Sequence, residues 1–186
     1  MEVNRNILAR IYSFDIQFTG GRRTQFYRKL FGFKSKTTRE NKNGQEKVYE
    51  NFYPGVLAPL PHLRLGKSVI AVPKSARDKL DNFFQDSKWG SIDLYSFDGI
   101  LPRKDRMKAM KETLERIKID PNHSLKEEIE FLKSMKEEGE LDSRQVQKAK
   151  RVVKRCEDLM KHDWSDEKEF SKQLKNKIIF LQKIIS

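Results

Sequence analysis

Glycine and proline are concentrated in the first 100 positions of this chain of 186 residues. Eight of the nine glycines and four of the six prolines lie there, whereas positions 101–186 contain almost no turn residues. Because glycine and proline mark turns and loops, the first half is expected to hold many short elements and the second half a few long helices. We therefore predict two domains, residues 1–100 and 101–186, which meet at Leu101-Pro102-Arg103 because proline opens a helix readily.

The first domain is predicted to be mixed α and β, from alternating runs of β-branched and aromatic residues separated by turn signals. The expected elements are a strand over Ile7–Phe18, a helix over Arg22–Phe31, a hairpin of Phe33–Arg39 and Lys47–Tyr53 around Asn43-Gly44, a loop over Pro54–Gly66, a strand over Ser68–Val72, a helix from Ser75 to Asp86 and a strand over Ser91–Phe97. This order predicts an α+β fold, a mixed or antiparallel sheet with two helices on one face. It is a ferredoxin-like arrangement with one extra strand.

The second domain is predicted to be a four-helix extension or small bundle, since its apolar residues recur at helical spacing. The helices are expected over about Lys104–Ile119, from the capping box Ser124/Glu127 to Gly139, from Asp142 or Ser143 to about Lys161, and from Ser165 onward. The last helix is apolar nearly all round at its end. We expect either the first domain or a second subunit to cover it.

The composition excludes several classes of protein. The net charge is +12, yet 12 Phe, 5 Tyr and 2 Trp make the chain too apolar for a disordered polyelectrolyte. No apolar run approaches the roughly 18–20 residues that cross a bilayer. One cysteine excludes an internal disulfide, and together with only three histidines it argues against a Cys/His zinc site. We predict no cofactor and no bound metal. These features predict an intracellular protein of the cytoplasm, nucleus or nucleoid, without membrane contact.

The clearest positive surface is predicted on the third helix of the second domain. At about 100° per residue, its apolar side chains fall on one side and four cations fall in a stripe on the other. The stripe consists of Arg144, Lys148, Arg151 and Arg155, and the interval from Arg144 to Arg155 contains six basic residues and no acidic one. Like charges at this spacing repel, so the row favours an external anion such as a phosphate backbone. The alternative is a solvated face, or a face that meets acidic residues of the neighbouring helix. The acidic residues close in sequence are Glu127, Glu128, Glu130, Glu137, Glu138 and Glu140.

A second basic block lies in the first domain, where no acidic residue occurs between Ile16 and Arg39. It contains Arg22, Arg23, Arg28, Lys29, Lys34, Lys36 and Arg39, with Phe26, Tyr27, Phe31 and Phe33 interleaved, and all but Arg39 are candidate binding residues. Cations beside exposed aromatic rings are typical of single-stranded nucleic-acid binding. If the rings belong to the core, the block contacts the backbone only.

A repeated tetrapeptide suggests an enzymatic alternative. Tyr12-Ser13-Phe14-Asp15 recurs as Tyr95-Ser96-Phe97-Asp98, each at the end of a predicted strand. If the fold brings Asp15 and Asp98 together, the two carboxylates could hold Mg²⁺ for phosphodiester cleavage. No glycine-rich phosphate loop or nucleophile motif accompanies them.

The segment Ile7–Lys36 resembles the start of the small ferredoxin-like proteins of CRISPR spacer acquisition. The shared features are a first strand with Tyr12 and Asp15, then a helix with Arg22, Arg23 and Arg28 that ends at Phe31-Gly32-Phe33. The chain departs from that family in two ways. Two residues separate Tyr12 from Asp15, whereas the corresponding Tyr and Asp are adjacent in the family. The long helical second half has no counterpart there. The resemblance implies a ferredoxin-like first domain.

Together these patterns predict a non-enzymatic protein that grips the phosphate backbone of DNA or RNA through two basic surfaces. An interaction subunit of a homodimer or a hetero-complex is the alternative. Its docking segments would be the proline-rich loop Pro54–Pro61 and the apolar helix Phe170–Ile185. A metal-dependent nuclease is the third hypothesis.

Overall fold

The computed structural model describes residues 7–40, 45–120 and 123–185 and contains two antiparallel sheets with helices around them. The strands are β1 (Leu8–Ile16), β2 (Gly32–Glu40), β3 (Glu46–Pro54), β4 (Leu63–Gly66), β5 (Val69–Pro73) and β6 (Ile92–Ile100). The α-helices are α1 (Gly20–Phe31), α2 (Arg77–Phe84), α3 (Arg103–Arg116), α4 (Leu125–Glu138), α5 (Ser143–Met160) and α6 (Glu169–Ile185). None of the helices in these three ranges is long and apolar enough to cross a membrane.

The larger sheet has the strand order β4-β5-β1-β6, and every neighbouring pair is antiparallel. With α1 after β1 and α2 before β6, this is the predicted ferredoxin-like arrangement. The chain has two strands beyond this arrangement, not the one extra strand predicted: β2 and β3 pair with each other as a separate sheet, between α1 and β4 in the chain. Its Asn43-Gly44 turn lies outside the described residues.

The prediction of a loop over Pro54–Gly66 was wrong at the end of the segment, because Leu63–Gly66 forms β4. The strand has only four residues and an irregular register at Arg64/Gly66. The surrounding segment contains three prolines and two glycines, a composition that is typical of a loop. It forms because β5 offers an unpaired edge. This is a tertiary contact that the local sequence does not indicate.

One face of the sheet packs against α1 and α2. Tyr12, Phe14 and Ile16 point from β1 into a core that also holds these buried side chains: Phe26 and Leu30 of α1, Leu80 and Phe84 of α2, and Leu57, Leu60 and Trp89 of the loops. The prediction of two helices on one face is confirmed.

Helices α3–α6 cover the other face. Ala9, Ile11 and Ala71 share a core cluster with the helical residues Met110, Leu132, Val153, Trp164 and Leu174. The Trp164 Nε1–H donates to the carbonyl of Ile7 at 3.2 Å, which anchors the helices to the first strand. The division into domains at residue 100, just before α3, stays a prediction.

Local capping signals fix the helix boundaries where side chains satisfy backbone groups. Ser124 and Glu127 form the predicted capping box of α4, and Asp142 forms a second one with Gln145 at the start of α5. Helix α4 ends at Gly139 as expected.

Several boundaries differ from prediction, and three of the differences at helix ends have a visible physical reason. Helix α3 ends at Arg116, before Ile119, because Ile117 turns extended and its carbonyl accepts from Leu125 at 2.7 Å. Ser75 does not cap α2, since its hydroxyl hydrogen-bonds His162. Ser165 accepts from the Phe170 amide, as a cap should, but a 3-10 turn over Asp166–Lys168 precedes α6.

Candidate nucleic-acid interface

Helix α5 presents a row of unpaired arginines opposite its buried face. Its apolar residues Ala149, Val152, Val153, Cys156 and Leu159 are buried in the helical core, which fixes the rotation of the helix. Arg144, Arg151 and Arg155 are exposed on the other side. Within the part of the chain that the structure describes, these three guanidinium groups have no hydrogen bond or ion pair. At about 1.5 Å per residue they span roughly 16 Å along the helix.

Lys148, the fourth residue of the predicted stripe, is engaged within the protein. Its ammonium lies 3.0 Å from Asp120 and 3.1 Å from Glu128, whose side chain is fully buried. The hydrogen bond to Asp120 is the main reason that the pKa of Lys148 is raised. Lys148 therefore pairs with an acidic residue of the preceding helix, as the alternative interpretation expected. The three arginines remain on the solvent-exposed face of α5.

A cluster of three potential metal ligands lies around the same lysine. Donor atoms of Asp120, His123 and Glu128 lie within 4.8 Å of one another. The Lys148 ammonium contacts both carboxylates and already supplies a positive charge to them. The arrangement is accounted for by this ion-pair network.

The basic residues of α1 mostly contact aromatic rings. Arg22 donates from Nε to the Lys88 carbonyl at 3.0 Å. Arg23 lies 6.0 Å from the ring of Tyr27, and Arg28 lies 4.7 Å from the ring of Phe33. Lys29 is exposed at the last turn of the helix. Cation–π contact keeps the guanidinium charge, so these arginines can still attract phosphates.

The interleaved aromatic residues divide between core and surface. Phe26 is fully buried, as the core interpretation expected. The ring of Phe31 is only partly buried, but it stacks with Tyr27 and carries the guanidinium of Arg64 at 3.7 Å. Neither face of the stacked Tyr27–Phe31 rings is freely available. Helix α1 is therefore better suited to contact the phosphate backbone of a nucleic acid than to stack on its bases.

The hairpin carries basic and aromatic residues into solvent. Lys34 is exposed, and Lys36 is ion-paired with Glu50 at 2.7 Å. Tyr49 and Tyr53 are 40% and 49% exposed. Sequence reasoning did not include these two tyrosines in the candidate site, although their position beside lysines in a predicted strand was a usable signal.

A cleft of about 760 Å³ lies between strand β3 and the segment that joins α3 to α4. Lys34 of the hairpin and Arg155 of α5, one from each predicted basic surface, line it together with Arg116 and Lys118. The acidic side chains in the lining are Glu50, Glu115 and Asp120. Each acid is ion-paired with a lysine, namely Lys36, Lys126 or Lys148. Lys34 and Arg155 have no such partner in the described residues.

Arg116 is a cleft residue that sequence reasoning missed. It donates to the carbonyls of Ala58 and Leu60 at 3.1 and 2.9 Å, which anchors the proline-rich loop to the end of α3. Burial lowers its pKa to about 10, so it remains a cation at neutral pH. No local pattern distinguishes it from the other basic residues of its helix.

The structure does not bring Asp15 and Asp98 together. In the β1–β6 register Asp15 lies opposite Asp93, and Asp98 lies opposite Arg10. The two carboxylates are therefore five positions apart along the strands, roughly 17 Å at 3.4 Å per residue. Asp98 is ion-paired with Lys74 and Arg10, and the hydrogen bond from Lys74 is the main cause of its lowered pKa. The two-aspartate metal site of the nuclease hypothesis is wrong.

The two predicted docking segments pack largely against the chain itself, although Ile179 of α6 remains 51% exposed. Leu57 and Leu60 of the proline-rich loop are fully buried in the core beside α1. Phe170, Leu174, Ile178 and Leu181 of α6 are buried among α3–α5. The last helix is thus covered mainly by the other helices of its own half, which is neither of the two expected covers, the first domain or a second subunit.

Comparison with protein-family models, with curated proteins and with solved structures gave no match to this chain.

Proposed function

We propose that the protein binds a nucleic-acid strand by its phosphate backbone, along the arginine face of α5 and into the adjoining cleft. The observation that carries this proposal is the cleft itself. Lys34 and Arg155 come from basic segments that are more than 100 residues apart in the chain, and both line it. One residue of each positive region thus lines the same cleft.

The balance of charge in the cleft supports an anionic ligand. Its three acidic side chains are paired with lysines, while Lys34 and Arg155 have no ion-pair partner in the described residues. Unpaired cations that line one cleft repel each other unless a counterion is present. A polyanion that binds them releases small counterions into solution, which makes its binding more favourable. Arginines also bind phosphate oxygens with two parallel hydrogen bonds.

The contact is with the backbone rather than with specific bases. The cations of α5 are arranged along a helix face without aromatic residues among them, which suits repeating phosphates. Among the described residues of the cleft lining, Tyr53 is an exposed ring, but one of its faces already stacks on Phe33 at 4.7 Å, so at most one face is open to a base. We therefore expect binding to depend weakly on sequence.

Charge reversal tests the surface directly. Arg151→Glu/Arg155→Glu should weaken binding of a labelled oligonucleotide at low salt by more than about tenfold, because two phosphate contacts become repulsive. Lys172→Glu/Lys175→Glu is the matched control, since it removes the same charge from exposed positions of α6 outside the cleft. Equal loss in both variants would mean that only net charge matters and would contradict a defined site.

Lys34→Glu tests whether the cleft joins the two surfaces. The variant should weaken binding in a protein with intact α5 arginines, because Lys34 lines the same cleft as Arg155. Unchanged affinity would restrict the site to α5. A fluorescence anisotropy titration with single-stranded and double-stranded probes measures both effects.

A further inference from the structure

Strand β6 is an edge of the larger sheet with little of the usual protection, since Asp93 and Asp98 are its only charged residues and Asp98 is ion-paired with Arg10 and Lys74. Its outer side has no strand partner among the described residues. It runs for nine residues in continuous register with β1 and contains no lysine, arginine or proline. The opposite edge, β4, has four residues, an irregular register and Arg64. Proteins block edges by shortening, bulging or charging them, so β4 is protected and β6 is open to pairing.

The same strand exposes large apolar side chains. Tyr95, Phe97 and Ile100 are 72%, 54% and 55% exposed. Tyr95 and Phe97 point to the face on which α3–α6 cover Ile11 of β1, but the helices do not reach over β6. An edge that is both apolar and unpaired indicates an interaction surface.

We propose that β6 pairs with β6 of a second copy of this chain, antiparallel and about a two-fold axis at Ser96, so that one sheet continues across the dimer. In this register Tyr95 lies opposite Phe97 of the other copy, and Ile92 lies opposite Ile100. The symmetry makes each of these pairs occur twice. Cross-strand aromatic and β-branched pairs of this kind stabilise antiparallel sheets.

The positions of the acidic residues specify that register. Asp93 falls opposite Gly99, and Asp98 falls opposite Leu94, so no like charges face each other. Pairing centred on Tyr95 would set Phe97 against Asp93, and pairing centred on Phe97 would set Tyr95 against Gly99. Both alternatives lose the Tyr95–Phe97 contacts.

The charge around the strand favours a protein partner over nucleic acid. Asp15 and Asp93 lie opposite each other next to Tyr95, and β6 itself holds no cation. A phosphate backbone would be repelled from this end of the sheet. The proposed dimer contact is also separate from the α5 surface, so each can fail without the other.

The mass of the protein in solution tests the proposal. After nuclease treatment, light scattering coupled to size exclusion should show a dimer that dissociates on dilution. Phe97→Lys should give a monomer at the same concentrations, because a lysine on an edge strand opposes pairing. Leu65→Lys on the protected edge is the matched control and should remain dimeric, since Leu65 is similarly exposed at 48%. Far-UV circular dichroism checks that both variants are folded.

A cysteine at the symmetry axis tests the register. Directly opposite residues of antiparallel strands have Cα atoms about 4.5–5.5 Å apart, within disulfide range. Ser96→Cys should therefore give a disulfide-linked dimer on mild oxidation, while Ser91→Cys, far from the axis, should not. The native Cys156 is buried and does not interfere.

A protein that is monomeric at every concentration, or a dimer that persists in Phe97→Lys, would overturn the proposal. Absence of the Ser96→Cys cross-link in a dimeric protein would overturn the register. A monomer whose oligonucleotide binding weakens in Phe97→Ala would assign this face to nucleic acid instead.

Discussion

Lys148 and Arg151 lie less than one helical turn apart on α5, but their surroundings differ. Helical periodicity places both on the polar side, and that part of the prediction agrees with the structure. It does not reveal that Glu128 of α4 is fully buried and must be neutralised by a cation. Packing between helices decides which basic residue stabilises the fold and which stays open to a ligand. The residues near each position in the sequence do not reveal this packing.

Substitution of the two residues separates these roles. Lys148→Met should lower the free energy of unfolding by about 2 kcal/mol, because it removes the lysine partner of a buried carboxylate and leaves it only His123 among the described residues, at 3.5 Å. The loss is smaller than for a fully buried pair, since Lys148 is 26% exposed. Arg151→Met should change stability by less than about 0.5 kcal/mol while it weakens oligonucleotide binding. Urea unfolding measures the first effect. Equal stability of the two variants would contradict the assignment.

Cys156 is predicted to be chemically inert in the folded protein. Burial raises the pKa of its thiol to about 12, so the reactive thiolate is almost absent at pH 8. A thiol reagent should therefore modify the native protein only as fast as it unfolds, and modify the protein in urea at once. Rapid reaction under native conditions would show that the apolar face of α5 is accessible.

Elements with local signals could be predicted, whereas elements formed by distant contacts could not. The capping boxes of α4 and α5 and the β2–β3 hairpin follow from residues within a few positions of each other. Strand β4 and the proline-rich loop depend on distant partners. The loop packs on the end of α1, where Val56 and Leu57 donate to the carbonyls of Lys29 and Leu30 at 2.8 and 3.0 Å.

Gly55 is the residue that allows this close approach of loop and helix. A Cβ at this position would lie 2.3 Å from the Gly32 nitrogen and 2.5 Å from the Leu30 carbonyl oxygen. Gly55→Ala should therefore destabilise the protein by about 3 kcal/mol, because backbone must shift to admit the methyl group.

Gly21→Ala is the control, since no atom lies within 4 Å of its added Cβ and the residue is helical. It should stabilise the protein by about 0.5–1 kcal/mol through helix propensity. Thermal unfolding of both variants checks the pair. A neutral Gly55→Ala would mean that the loop is not held against α1 as described.

At the scale of the whole molecule, burial of two histidines links stability to pH. Burial lowers the pKa of His62 to about 4, beside Arg116, and lowers that of His162 to about 4, beside Lys79. Both side chains lie where the first 100 residues meet the later helices: His162 bonds Ser75 in the 3-10 turn before α2, and His62 lies in the loop that Arg116 of α3 anchors. Charging either one would place a cation next to another cation.

Acidification should therefore destabilise the fold in a defined window. The unfolded histidines take up protons near pH 6.5 but the folded ones only near pH 4, so stability is full above pH 6.5 and falls as the pH drops toward 4. The slope from each histidine is at most about 1.4 kcal/mol per pH unit. Unfolding temperatures between pH 7 and pH 4.5 measure it. If His62→Gln/His162→Gln retains the wild-type pH dependence, other groups cause it.

The salt dependence of binding tests the central claim most directly, because it counts the phosphates that the protein neutralises. For wild type, the logarithm of the association constant should fall linearly with the logarithm of salt concentration, by roughly 0.7–0.9 for each contact. Arg144→Gln/Arg151→Gln/Arg155→Gln should reduce the magnitude of this slope by about 2–3, since it removes three contacts. An unchanged slope, or no binding of wild type at low salt, would contradict the assignment of the α5 face to nucleic acid.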